Sequence, residues 1–499
     1  MERPDLYSVL VQTLERNETP RESIAKLKRL WQSLDVADAF PCPLCFALRD
    51  TVSPLRILPV RNGQAPLICE DCEEMFFVPV ERSAFSSTPS LHNGTEHSSP
   101  VLTPATSQRE LSVAYVTSYR SSDIRVWSGT GYHIYMALQD SGLRTESIEN
   151  LRDTYGLFTK AKKAVYSALS EKTYLRDREL ATVKSYAHQV ERALASSNCD
   201  VVFSPGTIPI AYLRTDRPIV FWTDSTFSGV IDFNPSFRNL CAETVKNGNK
   251  LEQAALSRCR LAIYCSDWAA RTAIKYYDVD PSKVKVVPFG ANVRCDRDVG
   301  QIGRMIARKN LNKCRLLFVG VTWFDKGGDV ALQVTKRLRR RGLKAELHVV
   351  GCEPPPGTPD FVKVHGFISK ETEAGRKLLD KLYSESHFLI VPSRAECFGV
   401  VFAEASSFGL PSLATHIGGI PTAIRNDKNG QTFALDEDPE RYCDYILDVM
   451  SSKQAYKNLA LSSFKEYTER LNWTSAGRRV RMLIAEHCRT TPGTNRLLG

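Results

Sequence analysis

The chain has 499 residues, 42% of them hydrophobic and 24% charged, with a formal net charge of +10 at pH 7. That length holds two or three domains, each with its own core, and the composition is ordinary for a soluble globular protein. No apolar run approaches the roughly 20 residues that a bilayer span needs, which excludes an integral helical membrane protein. The moderate basic charge suits phosphate-bearing substrates, an anionic membrane surface or nucleic acid, and chooses none of them.

The first segment, Met1-Glu-Arg-Pro-Asp5, lacks the apolar core of a secretory signal. The fourteen cysteines are therefore expected to be reduced, and the expected location is cytoplasmic or peripheral at the inner face of a membrane. Leu6, Val9, Leu10 and Leu14, then Ile24, Leu27, Leu30 and Trp31, fall at helical spacing on either side of Pro20. They predict two helices within residues 1–37. Residues 38–81 carry two knuckles, Cys42-Pro-Leu-Cys45 and Cys69-Glu-Asp-Cys72, flanking a strand-like Leu55-Arg-Ile-Leu-Pro-Val60. Four thiolates in two such knuckles suit tetrahedral zinc in a ribbon, and a filled tetrahedron leaves no open position, so the metal is expected to be structural. A chance grouping of reduced cysteines is the rival, and a redox role lacks a thioredoxin-like strand–helix context. The Ser/Thr/Pro-rich stretch over 82–110 reads as a flexible linker.

From Leu111 strands alternate with helices. Val113–Thr117, Val201–Phe203, Pro218–Trp222, Leu261–Cys265 and Val284–Pro288 form one set of short apolar runs. Leu316–Val319, Glu346–Val350, Val362–His365 and Phe388–Val391 form a second. Such alternation predicts α/β architecture with two doubly wound parallel sheets, one domain over 111–298, another over 299–475, and a C-terminal helix and tail over 476–499.

Within the second set, Pro392-Ser-Arg-Ala-Glu396-Cys-Phe-Gly399-Val-Val-Phe-Ala-Glu404 follows a strand and opens a helix. Gly399 allows a ligand close to the backbone, helix amides suit phosphate, and the two carboxylates suit hydroxyls, so the ligand expected is a nucleotide-sugar. This segment, together with Phe318-Val-Gly320, Lys326-Gly-Gly328, Gly366-Phe367 and Gly418-Gly-Ile-Pro421, resembles the donor half of glycosyltransferase family 4, a retaining family of GT-B architecture. The first half resembles bacterial members through Trp127-Ser-Gly-Thr130, Ser204-Pro-Gly-Thr-Ile-Pro209, Phe221-Trp-Thr-Asp-Ser225, Ser266-Asp-Trp-Ala-Ala270 and Val287-Pro-Phe-Gly-Ala-Asn292. The likeness runs over about residues 111–480.

The resemblance implies two Rossmann-like domains facing across a cleft. It implies that Glu404 binds ribose hydroxyls, Glu396 faces the transferred sugar and Lys326 sits on the diphosphate, where charge builds as the nucleotide leaves. Gly320, Gly327, Phe398, Gly399 and Val400 would complete the donor site, with no catalytic metal required. The bland alternatives are a solvated helix carboxylate for Glu404 and a surface lysine for Lys326. Family members often carry an arginine where this chain has Val321, and Arg394 is the candidate substitute. Gly129 and Gly131 either admit acceptor or phosphate or simply cap a helix. Asp224 either orients an acceptor hydroxyl or caps the next helix. His133 reads as a packed side chain, because in retaining transfer of this type the leaving phosphate can take the acceptor proton. The last helix, with Trp473 and Arg478 to Met482, is expected to pack back on the first domain.

Basic runs at Lys336-Arg-Leu-Arg-Arg-Arg341 and Lys160-Ala-Lys-Lys163 read as solvated helix faces, with membrane or nucleic-acid contact as the alternative. The function expected is a retaining glycosyltransferase using a nucleoside-diphosphate sugar. The alternatives are an epimerase or hydrolase of nucleotide-sugars, or a binding protein in which the zinc ribbon recruits a partner. The acceptor stays open among glycan, lipid-linked sugar, metabolite, protein and nucleic acid.

Overall fold

Strands written Ser-Val-Ala-Tyr-Val, Val-Val-Phe-Ser, Ile-Val-Phe-Trp-Thr and Leu-Ala-Ile-Tyr present no polar face, and a strand covered by helices on both sides needs none. The computed structural model describes residues 111–488, together with the backbone of three strands between residues 55 and 79. The chain divides into two compact units, Met1–Arg109 with Asp280–Ser282, and the remainder. In the first, β1 (Leu55–Ile57), β2 (Gln64–Cys69) and β3 (Met75–Pro79) pair antiparallel in that order. The helices expected within 1–37, the linker over 82–110 and the tail beyond Cys488 lie outside the described residues. So do Cys42, Cys45, Cys72 and the side chain of Cys69.

The second unit holds two Rossmann-like domains. In the first, β4 (Ser112–Val116), β5 (Arg144–Ile148), β6 (Val201–Ser204), β7 (Ile219–Thr223), β8 (Leu261–Tyr264) and β9 (Val284–Val286) make a parallel sheet in the order β5-β4-β6-β7-β8-β9. Its helices are α1 (Thr130–Asp140), α2 (Gly156–Leu169), α3 (Leu180–Leu194), α4 (Phe227–Val230), α5 (Ala242–Arg258) and α6 (Asp267–Tyr276). In the second, β10 (Lys313–Val319), β11 (Lys344–Val350), β12 (Val362–Val364), β13 (Phe388–Val391), β14 (Ser412–Thr415) and β15 (Gly430–Phe433) run parallel in the order β12-β11-β10-β13-β14-β15. The intervening helices are α7 (Val299–Ala307), α8 (Gly328–Arg340), α9 (Glu373–Glu385), α10 (Val400–Ser406), α11 (Ile420–Ala423), α12 (Pro439–Met450), α13 (Lys453–Glu469) and α14 (Trp473–Cys488). This is the α/β, GT-B arrangement expected from the sequence.

Three strands of the second unit were not expected. β5 is an exposed edge strand rich in polar residues, while β14 and β15 carry polar residues in short runs, so none reads as an apolar strand. Between the domains, α7 starts on a reciprocal cap: Gln301 N–H donates to Asp298 Oδ1 at 2.7 Å and Asp298 N–H to Gln301 Oε1 at 2.9 Å. Its Ile302 and Ile306 enter the core of the second domain. α14 returns to the first domain as expected: Arg481 donates to the Ser141 carbonyl, and Arg260 Nε donates to the His487 carbonyl at 2.8 Å. Gly477 packs so tightly on the Ala137 carbonyl that a side chain would collide with it. No helix among the described residues is long and apolar enough to cross a membrane.

In each sheet the strand order reverses at the first strand, β4 or β10. Ligands of open α/β sheets bind beyond the carboxyl ends of the strands at that reversal, because the loops on either side part there. The loops after β10 and β13 form one such site.

Candidate functional site

Gly320 to Gly327 leave β10, and Pro392 to Gly399 leave β13. Gly327, at φ 76°, caps α8, and a β-carbon there would stand 2.1 Å from the Pro392 carbonyl oxygen. Only glycine lets the two loops close this tightly. The closure brings Lys326 Nζ to 2.6 Å from Glu396 Oε2. Burial opposes the Lys326 charge, but the Glu396 carboxylate outweighs it and holds the ammonium pKa above its ordinary value. Gly399, at φ 81°, turns the chain into α10, with the Phe402 ring where its side chain would be. α10 is only seven residues long, so Lys326 rather than a helix dipole supplies the positive charge here.

One turn into the domain, Glu404 is 3% exposed. It is held by the Lys370 ammonium and by Tyr383 Oη, which donates to Oε2 at 3.0 Å. Lys370 and Tyr383 were not anticipated: one follows β12 and the other lies on α9, far from the motif in sequence. Phe398 is buried and meets Phe289 edge to face at 5.6 Å between ring centres.

The facing wall comes from the first domain. Trp127 and Ser128 adopt left-handed backbone, φ 51° and 53°, before Gly129 at 84° opens α1. Non-glycine residues held there store strain, and such strain gathers at functional sites. The turn aims Trp127 Nε1 at Asp224 Oδ2, 3.0 Å away, and Ser225 Oγ donates to Oδ1 at 2.9 Å. Burial raises the Asp224 pKa; these two hydrogen bonds oppose it and Glu396 reinforces it. The cap of α4 is Thr226, whose hydroxyl accepts from Gly229 N–H at 3.1 Å, so Asp224 does not serve as that cap. Between the domains Ser266 Oγ donates to the Cys397 carbonyl at 3.2 Å, and Thr422 Oγ1 donates to Asp267 Oδ2 at 2.8 Å.

Together these walls enclose a cleft of about 590 Å³ that includes Gly320, Val321, Lys326, Glu396, Phe398, Gly399, Val400, Glu404, Trp127 and Asp224. Val321 is 70% exposed there. Arg394, the candidate substitute for the missing arginine, forks onto Asp329 at 2.9 and 2.8 Å and lies 3.9 Å over the Phe324 ring. It is committed to α8. Gly131 passes its carbonyl to Tyr115 Oη at 2.7 Å and packs beneath the Tyr119 hydroxyl, which accounts for the missing side chain without a ligand. His133 stacks on Trp473 at 5.7 Å, and burial pushes its pKa down to about 4, so it is a packed, neutral ring as expected. In the basic run on α8, Arg337 bridges Asp438 and Arg341 bridges Asp444 at 2.7 Å, so these charges pin α8 to α12.

Asp224, Trp127 and Cys397 also line a neighbouring pocket of about 470 Å³, walled otherwise by the first domain. Its floor holds Glu252, 5% exposed, with Oε2 accepting from Thr207 Oγ1 at 2.8 Å and Oε1 unpartnered. Burial pushes the Glu252 pKa up to about 7. The native state therefore binds more protons than the unfolded chain between about 4.5 and about 7, and stability falls as pH rises through that window, by up to about 1.4 kcal/mol per pH unit. Glu252→Gln is expected to raise the melting temperature at pH 8 and to leave it nearly unchanged at pH 4.5. A pH-independent effect in thermal melts would contradict this.

Residues 313–452 match the sequence model of the family described as Glycosyl transferases group 1. D-inositol 3-phosphate glycosyltransferase from Corynebacterium diphtheriae is 21% identical over 250 residues, 47% of this chain and 58% of that protein. The chain spans about half the length of the curated relatives it matches. Sucrose-phosphate synthase from Thermosynechococcus elongatus shares the fold with a TM-score of 0.55 at 15% identity, over 76% of this chain and 99% of that one. HepE from Anabaena, solved with UDP and glucose, does so at 0.50 and 12%, over 76% and 100%. A segment that matches the glycosyl transferases group 1 model thus lies within a chain of GT-B fold.

Proposed function

We propose that the protein is a retaining glycosyltransferase that moves a sugar from a nucleoside-diphosphate sugar to an acceptor hydroxyl. The observation that carries this is the placement of the Lys326–Glu396 pair and Asp224 on opposite walls of one cleft. Lys326 neutralises the leaving diphosphate, whose charge grows as the glycosidic bond breaks. Glu396 accepts hydrogen bonds from hydroxyls of the transferred sugar, and Glu404 takes the ribose diol. Asp224 lies where cleft and inner pocket meet, so it orients an acceptor hydroxyl that enters from the pocket. The leaving phosphate takes the acceptor proton on the face it departs from, which retains configuration without a protein base. Domain closure excludes water and suppresses donor hydrolysis.

The HepE complex directs the first assay to uridine diphosphate sugars, and the curated relatives suggest inositol phosphate as the first acceptor. Nucleotide release should rise with acceptor, and product NMR should show the donor's anomeric configuration. No release from any common nucleotide-sugar would overturn the reading, and an inverted product would overturn its retaining part.

A structural zinc on Cys42, Cys45, Cys69 and Cys72 forms part of the same reading. β2 ends at Cys69 and pairs with β3 through Ile68 and Met75, so the second knuckle falls between paired strands, as in a ribbon. Metal analysis of the full chain should find about one zinc per molecule. Less than about half an equivalent would count against it.

A further inference from the structure

At the opposite end of the second sheet lies another cavity, of about 780 Å³. α7, the residues leading into β10, and the end of α9 with the residues before β13 wall it. β10 and β13 start there and end at the cleft, so the two sites are about 20 Å apart along the strand at ~3.3 Å per residue.

Arg297, Arg304, Arg308, Lys309, Lys313 and Arg315 line this cavity, against one lining carboxylate, Glu385. Arg315 pairs with Glu385, and Arg297 with Asp380 at 2.8 Å. Arg304, Arg308 and Lys313 make no ion pair among the described residues. The Lys309 ammonium donates to the Ser386 carbonyl and to Tyr456 Oη at 3.2 Å, and burial pushes its pKa down to about 7. His387 is 2% exposed. Its Nδ1 accepts from Arg315 N–H at 3.0 Å, which leaves the ring proton on Nε2, a buried atom turned toward the Asn310 backbone. Burial, with Lys309 beside it, pushes that imidazole down to about 3 and keeps it neutral.

Arg304, Arg308 and Lys313 are exposed, so water answers their charge at rest, and an anion in the cavity would replace that water with charge-assisted hydrogen bonds from several cations at once. We propose that this cavity binds a small phosphate-bearing anion, at a second site apart from the cleft. A single carboxylate would answer one of the three unpaired charges. A phosphate ester or diphosphate brings about two charges or more and several acceptor oxygens, which guanidinium forks and a lysine ammonium match. The volume exceeds that of a bare phosphate and leaves room for an organic part, whether a soluble ester or a lipid headgroup.

The test uses the full chain carrying Lys326→Ala, so that the cleft's cation does not hold the probe. Calorimetric titration with pyrophosphate should show one site. Adding Arg304→Ala and Arg308→Ala should weaken it at least tenfold with unchanged circular-dichroism melting, and Lys313→Ala alone should weaken it severalfold. Should the double substitution fail to fold, the exposed Lys313→Ala carries the test by itself. Sedimentation with phosphatidic acid vesicles, against phosphatidylcholine vesicles, separates the sources. Vesicle binding lost with Arg304 and Arg308 assigns a headgroup, and pyrophosphate binding without vesicle binding assigns a soluble phosphate compound. Absence of both, or affinity unchanged by the substitutions, overturns the proposal. None of these outcomes depends on the donor chemistry of the cleft.

Discussion

Replacing Lys326 with alanine is expected to lower kcat for nucleotide release by about 100- to 1000-fold while the donor KM moves about threefold or less. The asymmetry follows from when the charge is needed. The bound diphosphate already carries charge that counter-ions and water partly answer, whereas the extra charge of the leaving group exists only in the transition state. Each cation lining the cleft has a carboxylate partner, Lys370 with Glu404, Arg125 with Asp123 and Lys326 with Glu396, and Lys326 is the one packed against Gly320 at the end of β10, where the diphosphate is proposed to sit. Lys326→Ala also strands Glu396, which is three-quarters or more buried, so a second variant is needed to separate lost charge from a displaced loop. Lys326→Met with Glu396→Gln removes both charges and should restore the melting temperature without restoring activity. A kcat within threefold of the parent would remove Lys326 from the mechanism.

The donor segment was legible because close approach leaves small residues at fixed places: Gly327 against Pro392, Gly399 beneath Phe402, and Gly419 against the Cys397 carbonyl. The partners of the glutamates were not. Lys370 sits in a half-buried loop with no flanking pattern, and Tyr383 reads as one more apolar-face residue of α9. Glu252 did leave a trace, since it shares a helical face with Leu251, Ala255 and Leu256, where a carboxylate is out of place. Charge counting misled in both directions. In the conspicuous run on α8, Arg337 and Arg341 are spent on Asp438, Glu440 and Asp444, while the cations of the second cavity are scattered over a helix, a loop and a strand start. Only folding brings those together. β5 went unseen because an edge strand exposed on its polar side lacks the apolar run that marks its neighbours.

Glu404→Ala is expected to raise the donor KM by about 30- to 100-fold, with a smaller fall in kcat and a stability loss of about 1–3 kcal/mol. A carboxylate offers about four lone-pair directions, and Lys370 and Tyr383 occupy two. The remaining two suit a vicinal diol, and the residue's burial makes each such bond strong. The stability term arises because alanine leaves the Tyr383 hydroxyl, fully buried on α9, and the Lys370 ammonium without their partner. Burial raises the Tyr383 pKa well above its ordinary value, and Glu404 adds to this, so the phenol stays protonated and keeps its donor role across the accessible pH range. Glu404→Gln keeps a carbonyl for Tyr383 and should recover most of the stability, while donor affinity stays impaired because one ribose acceptor is gone. A donor with a deoxygenated ribose separates this from a packing defect. The parent should bind it tenfold or more weakly than the full donor, and Glu404→Ala should not distinguish the two. Equal discrimination by both proteins would place the ribose elsewhere and leave Glu404 a structural anchor for Lys370 and Tyr383.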